Sequence, residues 1–367
     1  MSDPGSSLEE RFQALHEFIP AAEQALAPEI WHYLVGGTET ETTVARNRAA
    51  LDALAFRPRV LRDVSRVDPE AYFLGHRLRL PVMLAPVGSL ESFHPEAGAA
   101  VARAAGRFGV PFLLSSVSRP GLEEAAAAGR GPKIFQLYVR GDEAWVDAMA
   151  ERAKAAGYDA FCFTVDTAHY SRRERDIALR FVKPWRIGAE EGMRHQAALT
   201  WDHIARFRDR HAIPLILKGI ATAEDAARAA ALGVDFVYVS NHGGRQLDHG
   251  RGALDILPEV VAAVRGRARI IIDGGVSRGT DVLKAIALGA DYVAIGRLYC
   301  YGLAAAGEDG VVRVLELLED EVRIAMGLLG VTRLDELDPT YLAPAAPLGT
   351  PHVWSAFPLL GFPERKR

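Results

Sequence analysis

The sequence predicts an α/β protein: a closed (β/α)8 barrel of the TIM class, carrying an N-terminal helical extension. Three observations carry that prediction. From Pro81 onward, short apolar runs alternate with alanine-rich helical segments. Eight such pairs fit between Pro81 and Leu329; parallel strands need a crossover between them, and eight units close a barrel of roughly 250 residues. Each apolar run also ends in polar residues or glycines, where barrel enzymes collect their chemistry. A doubly wound open sheet is the runner-up. No GxGxxG follows an early strand, which disfavours its dinucleotide-binding version.

In chain order, residues 8–35 read as helical, punctuated by Pro20 and Pro28, with Phe12, Leu15, Phe18 and Ile19 as a buried stripe. Residues 50–80 mix short β-like runs with Pro58, Pro69 and Gly75 and lead into the barrel. Barrel strands are expected at 82–85, 111–114, 133–138, 160–165, 214–217, 236–239, 269–272 and 292–295. Helices are expected at 95–108, 122–128, 143–156, 201–210, 223–232, 253–264 and 280–288, then a helical region to about Leu329. An irregular section separates the fourth strand from its helix. The division is therefore 1–80 lead-in, 81–337 barrel and 338–367 tail. The tail is rich in alanine and proline (Pro344, Pro347, Pro351, Pro358, Pro363). Its Trp354 and Phe357 suit a neighbouring subunit, and a loosely ordered tail is the alternative.

The 367 residues are 49% hydrophobic and 25% charged, with a net charge of −4 and interspersed signs. No basic patch suggests a nucleic-acid or membrane partner. No apolar run is long enough to cross a bilayer. Cys162 and Cys300 have no metal-ligand spacing, so a buried, reduced pair in a cytoplasmic protein is expected, with no metal. The polar start, Met1 to Gly5, lacks a signal core, and Glu364 to Arg367 is not a peroxisomal address.

The richest strand end is Ser240-Asn241-His242-Gly243-Gly244-Arg245-Gln246-Leu247-Asp248, after the apolar run Phe236–Val239. Glycines allow a sharp turn and close approach, a histidine takes a proton near neutral pH, and an arginine forks onto a carboxylate. Base and clamp together suggest proton abstraction from a small anionic substrate. The other strands end in Pro86-Val87-Gly88, Ser115-Ser116, Gln136 and Tyr138, Thr164 and Asp166 with Arg172-Arg173 beyond, Lys218-Gly219, Asp273-Gly274-Gly275, and Gly296-Arg297. Singly, each reads as a turn or a solvated charge. Together they outline a site, with the strand seven and eight glycines and Arg297 suited to a phosphate.

Set side by side, Phe135-Gln136-Leu137-Tyr138, Thr164-Val165-Asp166, Leu217-Lys218-Gly219, the Ser240–Asp248 stretch and Asp273-Gly274-Gly275 resemble the FMN-dependent 2-hydroxy acid oxidase and dehydrogenase family, from about Ile30 to about Leu337. The resemblance implies FMN as cofactor, a small 2-hydroxy acid as substrate and oxidation to the 2-oxo acid. It implies His242 as the base that works as a hydride equivalent reaches flavin N5, and Asp166 as its orienting carboxylate. Arg245, Arg173 and Tyr33 then hold the substrate carboxylate, and Tyr138 sits near the hydroxyl. Lys218 faces flavin N1 and O2. Pro86, Val87, Gly88, Ser115, Gln136, Thr164 and Ser240 become flavin contacts. Asp273, Gly274, Gly275, Ser277, Gly296 and Arg297 serve the ribityl and phosphate end. A homotetramer follows from the resemblance alone. The same flavin chemistry on an amino acid-like or natural-product substrate is the alternative reading, and a non-catalytic flavin-binding protein the third.

Departures from the family pattern sharpen the expectation. Val117 stands where glycolate-oxidising members carry tryptophan, and Val87 where plant-type members carry threonine, so an aryl or branched side chain is favoured over glycolate. Gly88 replaces a common alanine and is expected to leave room near flavin N5. Ser277 replaces an arginine of the phosphate loop, with Arg278 as its expected substitute. The section from Arg180 to Thr200 is short for the family's mobile loop, which is expected to bare the site or admit a bulkier substrate.

Overall fold

A computed structural model describes residues 7–186, 189–346 and 348–360. The Met1–Gly5 start, the Glu364–Arg367 end, Pro347 and Pro363 lie outside the described residues. Eight parallel strands close into a barrel: Val82–Leu84, Phe112–Ser115, Lys133–Leu137, Ala160–Thr164, Leu215–Ile220, Phe236–Val239, Arg269–Ile272 and Tyr292–Ile295, numbered one to eight in that order. Each pairs in parallel with its sequence neighbours, and strand eight closes on strand one through Val293–Val82, Ala294–Met83 and Ile295–Leu84. Helices follow the strands, among them Ala97–Phe108, Leu122–Ala128, Glu143–Ala155, Trp201–Arg210, Ala223–Ala231, Ala253–Val264 and Gly279–Ala287.

The strands are apolar throughout because both faces are buried. Alternate residues split between two cores. Phe135, Leu137, Phe161, Phe163, Val237 and Val239 point outward under the helices. Met83, Leu113, Ile134, Cys162, Ile216 and Tyr238 fill the interior. A hairpin, Ala71–Phe73 with His76–Leu78, plugs the N-terminal end of the barrel. Its fully buried Phe73 lies 5.1 Å from the Phe236 ring and 5.6 Å edge-on from Tyr292.

The expected elements differ from the observed ones mainly outside the barrel. Residues 8–35 form short segments, Leu8–Arg11, a 3-10 turn Leu15–Glu17, Phe18–Ala25 and Pro28–Val35. Pro20 does not divide them, because it sits in the first turn of Phe18–Ala25, where its missing N–H costs nothing. An unexpected helix, Thr42–Asp52, precedes the short strand Leu54–Phe56. The C-terminal helical region, Arg297–Leu329, is broken at Ala306 and Gly307, where the backbone leaves helical geometry.

The tail docks on its own chain. Leu342–Pro344 pairs antiparallel with Leu54–Phe56. Trp354 stacks on Trp31 at 5.9 Å, and Phe357 is buried. These two aromatics, expected to suit a neighbouring subunit, pack on their own chain, Phe357 fully and Trp354 in part.

Candidate active site

Strand six delivers the polar stretch at the C-terminal mouth. His242 turns the chain with a positive φ of 59°. Gly244 follows at φ 76°, and a Cβ there would lie 2.6 Å from the Val44 backbone nitrogen. Only glycine lets this loop press against helix Thr42–Asp52. Asp248 then fastens the contact, accepting from Thr43 N at 2.8 Å and from the Thr40 hydroxyl at 2.7 Å. Burial pushes the Asp248 carboxyl up, but the bonds from Thr40 and Thr43 outweigh it and hold the group well below the usual carboxylate range.

His242 lies between two partners. Its Nδ1 is 3.2 Å from Asp166 Oδ1, and its Nε2 is 3.2 Å from the Tyr138 hydroxyl. Desolvation lowers the His242 pKa, Lys218 lowers it further, and Asp166 pulls the other way without prevailing. Desolvation also opposes charge on Asp166, but His242 and Lys218 hold it below its ordinary value. Burial raises the Tyr138 pKa far above that of a free phenol. The resting state is therefore an ionised Asp166 accepting from Nδ1–H, and a neutral imidazole whose Nε2 accepts from Tyr138. That is a base whose Nε2 lone pair is covered only by a phenol in the resting site, with a counter-charge behind it.

Around it stand cations that have no carboxylate partner among the described residues. Arg245 Nη1 donates to the Gly36 carbonyl at 2.7 Å, and its guanidinium lies 4.9 Å from the Tyr33 ring centroid. Arg173 donates to Ser171 Oγ at 3.1 Å and to the Arg245 carbonyl at 3.3 Å. Arg297 reaches the Gly243 and Gly36 carbonyls at 3.0 and 2.9 Å. Burial lowers the Arg297 pKa to about 10, which still leaves it charged at neutral pH. Tyr33 donates to the Gly88 carbonyl at 3.2 Å. A cavity lined by guanidiniums whose partners among the described residues are neutral oxygens is arranged to receive anions.

A second network lies deeper. Lys218 donates to Ser240 Oγ at 3.0 Å, and that hydroxyl donates to Asp273 Oδ1 at 2.6 Å. Lys218 Nζ is itself 3.7 Å from Asp273 Oδ2. Ser240 Oγ also accepts from His242 N at 3.0 Å, so one hydroxyl ties strands five, six and seven to the base.

Tyr33, Pro86, Val87, Gly88, Tyr138, Arg173, Lys218, His242 and Arg245 line one cavity, together with Asp273, Gly274, Gly275, Ser277, Gly296 and Arg297. Ser115, Gln136, Thr164, Asp166 and Ser240 are not part of that lining, though Asp166, Ser240, Thr164 and Ser115 bond to its His242, Lys218, Gln196 and Val117. Arg278 does not join it. Its guanidinium is taken by Glu321 at 2.6 Å and packs over Phe357, so the expected substitute for a phosphate-loop arginine is engaged elsewhere. Arg48 lines the cavity instead, held by both oxygens of Asp281 at 2.8 and 2.9 Å. The room expected at Gly88 is also filled: a Cβ there would meet Val117 Cγ2 at 2.9 Å. The short lid does not leave the mouth bare. Its helix Glu190–Ala197 is anchored by Gln196, which accepts from Val139 N at 2.6 Å and donates to the Thr164 carbonyl at 2.9 Å.

Asn47, Arg48 and Gln196 were not legible in the sequence, and Asp248, though part of the Ser240–Asp248 stretch, carried no assigned role there. Asn47 Oδ1 accepts from Ala253 N at 2.9 Å and from Asn241 Nδ2 at 2.7 Å, locking the loops after strand six to the helix that carries it. The available signal was the polar Arg46-Asn47-Arg48 run inside an otherwise helical alanine- and valine-bearing segment.

A flavin mononucleotide fits the residues present. Both amide atoms of Gln136 and the hydroxyl of Thr164 are sealed from solvent with no partner among the described residues. Strand alternation turns both into the barrel mouth, because Phe135, Leu137 and Phe163 face outward. Orphaned buried groups are costly and call for a ligand with its own donors and acceptors, as a flavin ring has. Lys218 beside such a ring, and Arg297 with the backbone of Gly274–Ser277 for a phosphate, complete the set.

Comparison with known proteins agrees. Residues 22–344 match the family model described as FMN-dependent dehydrogenase. The chain is 39% identical to the L-lactate oxidase of Nostoc sp., covering 89% of this chain and 97% of that protein. It is 42% identical to the 4-hydroxymandelate oxidase of Amycolatopsis orientalis, over 87% of this chain and 95% of that one. A crystal structure of mandelate oxidase superposes with a TM-score of 0.86 at 42% identity, covering 92% of this chain and 99% of that one.

Proposed function

The chain belongs to the FMN-dependent dehydrogenase family and is an FMN-dependent 2-hydroxy acid oxidoreductase, and from that premise we propose how its own residues divide the work. Oxidation of a 2-hydroxy acid to the 2-oxo acid removes two electrons and two protons from the carbinol. Bound FMN supplies the two-electron acceptor that no side chain can provide. Arg173 and Arg245 hold the substrate carboxylate, with Tyr33 beside them. Tyr138 donates toward the hydroxyl. His242 Nε2 takes the proton, and Asp166, on the opposite ring nitrogen, stabilises the imidazolium that results. Lys218 places positive charge where negative charge grows during the reaction.

The observation that carries this reading is the neutral His242 held between Asp166 and Tyr138, within a cluster of guanidiniums that have no carboxylate partner among the described residues. An aryl side chain is favoured. Val117, Trp185 and Met193 line the cavity, and relatives named for mandelate and 4-hydroxymandelate share the fold and two-fifths of the sequence. A cytoplasmic homotetramer belongs to the same reading. Two buried, unpaired cysteines suit a reducing compartment, and light scattering on the purified protein gives the assembly size.

Anaerobic titration of the holoenzyme with glycolate, (S)-lactate and (S)-mandelate, followed by flavin absorbance, tests the proposal. Bleaching is expected, most efficiently with mandelate. A flavin that none of them bleaches, or a strong preference for glycolate, would contradict it.

A further inference from the structure

The site described above leaves part of its cavity unexplained. In the barrel order, strands three and four lie opposite strands seven and eight. On that side Arg140, Thr167 and Tyr170 line the same cavity as His242. Arg140 Nη1, Thr167 Oγ1 and the Tyr170 hydroxyl are each sealed from solvent and have no partner among the described residues. Three orphaned polar groups in one wall are unusual in a finished interior.

Two of these groups, Arg140 and Tyr170, meet one ring. The Arg140 guanidinium lies 4.9 Å from the Trp185 centroid, and the Tyr170 ring meets Trp185 edge-on at 5.8 Å. The lid helix is shaped to cross over the arginine. A Cβ on Gly192 would lie 3.0 Å from Arg140 Cδ, so a side chain there would crowd the guanidinium stem. Arg140 takes no part in the carboxylate clamp formed by Arg173 and Arg245.

Each of the three can donate, and one carries a permanent charge. Their natural complement is a group with several lone pairs and a negative charge, next to a flat apolar stem that packs on indole. We propose that Arg140, Thr167 and Tyr170 form a distal subsite, and that the preferred substrate is a 2-hydroxy acid whose aryl-like side chain ends in a second carboxylate. This rests on the 2-hydroxy acid reading above and names the substrate class within it.

The test compares (S)-mandelate with (S)-4-carboxymandelate as reductants of the holoenzyme, in the wild type and in Arg140→Met. The wild type is expected to favour the carboxylated acid in kcat/KM by roughly ten- to a hundredfold. Arg140→Met should erase that preference while changing mandelate turnover by less than about threefold. Tyr170→Phe should reduce it by only a few-fold. Calorimetric binding of the matching 2-oxo acids should show the same ranking without turnover. An equal loss on both substrates in Arg140→Met would overturn the proposal and leave Arg140 as a strut beneath the lid. So would a wild type that bleaches with mandelate and gains nothing from the carboxylate. If neither acid bleaches the flavin, the 2-hydroxy acid reading falls and this inference with it.

Discussion

The two ends of the barrel are built on opposite principles. At the N-terminal end, Phe73, Phe236, Tyr292 and Met83 close the interior with apolar surface, and the Tyr292 hydroxyl finds the Tyr72 carbonyl. At the C-terminal end, Gln136, Thr164, Asp166 and Arg297 each keep a buried polar atom without a partner among the described residues. The first end is complete by itself and stabilises the fold. The second is incomplete by itself, and its unmet hydrogen-bonding capacity is what a cofactor and an anionic substrate satisfy. Stability and chemistry are thus separable along the barrel axis.

That separation can be broken deliberately. The largest effect on chemistry short of removing the base is expected at Asp166. Asp166→Asn should lower kcat by roughly a thousandfold, because it keeps the shape but withdraws the charge behind the imidazolium. The melting temperature and flavin content should barely move, as read by calorimetry and absorbance. At the other end, Phe73→Ala should cost roughly 3–5 kcal/mol of stability by opening a cavity in the plug, with KM for the preferred 2-hydroxy acid unchanged. A KM that rises with it would show that the two ends are coupled.

A smaller effect sharpens the roles within the upper end. Arg245→Met should raise KM about ten- to a hundredfold through loss of a charge-assisted bond, with a lesser change in kcat. The smallest expected effect is a shift along the pH axis. His242 works as the neutral base, and desolvation with Lys218 holds its pKa below the ordinary value. The acid limb of kcat/KM should therefore fall below about pH 6.5. Lys218→Met removes a cation that disfavours the imidazolium, so the His242 pKa rises and the limb moves to higher pH. A limb that stays in place would separate Lys218 from the base.

The same contrast explains what was legible in the sequence. Strands buried on both faces are continuous apolar runs, so all eight were visible, and Phe236–Val239, Arg269–Ile272 and Tyr292–Ile295 fall where expected. Helix Thr42–Asp52 was not visible, because its inward face carries Thr43, Asn47 and Arg48 toward the site and breaks the apolar periodicity on which recognition depends. Gln196 escaped for another reason: its partners, Val139 and Thr164, lie in distant segments, and nothing local marks it. Asp248 stood in the marked Ser240–Asp248 stretch, but its role there was illegible because its partners, Thr40 and Thr43, are equally distant. Arg278 shows the reverse error, an arginine at the expected position whose charge Glu321 already claims. The tail's composition suggested looseness, while Trp354 and Phe357 found apolar surface on their own chain.

Turnover depends on His242 as the proton acceptor at an otherwise preassembled site. Stopped-flow mixing of anaerobic holoenzyme with (S)-mandelate, comparing wild type and His242→Gln, tests that most directly. Flavin should stay bound in the variant, and its bleaching rate should fall by roughly 10²–10⁴. A variant that retains its flavin and is reduced at the wild-type rate would show that the proton leaves by another route, and would contradict the assignment.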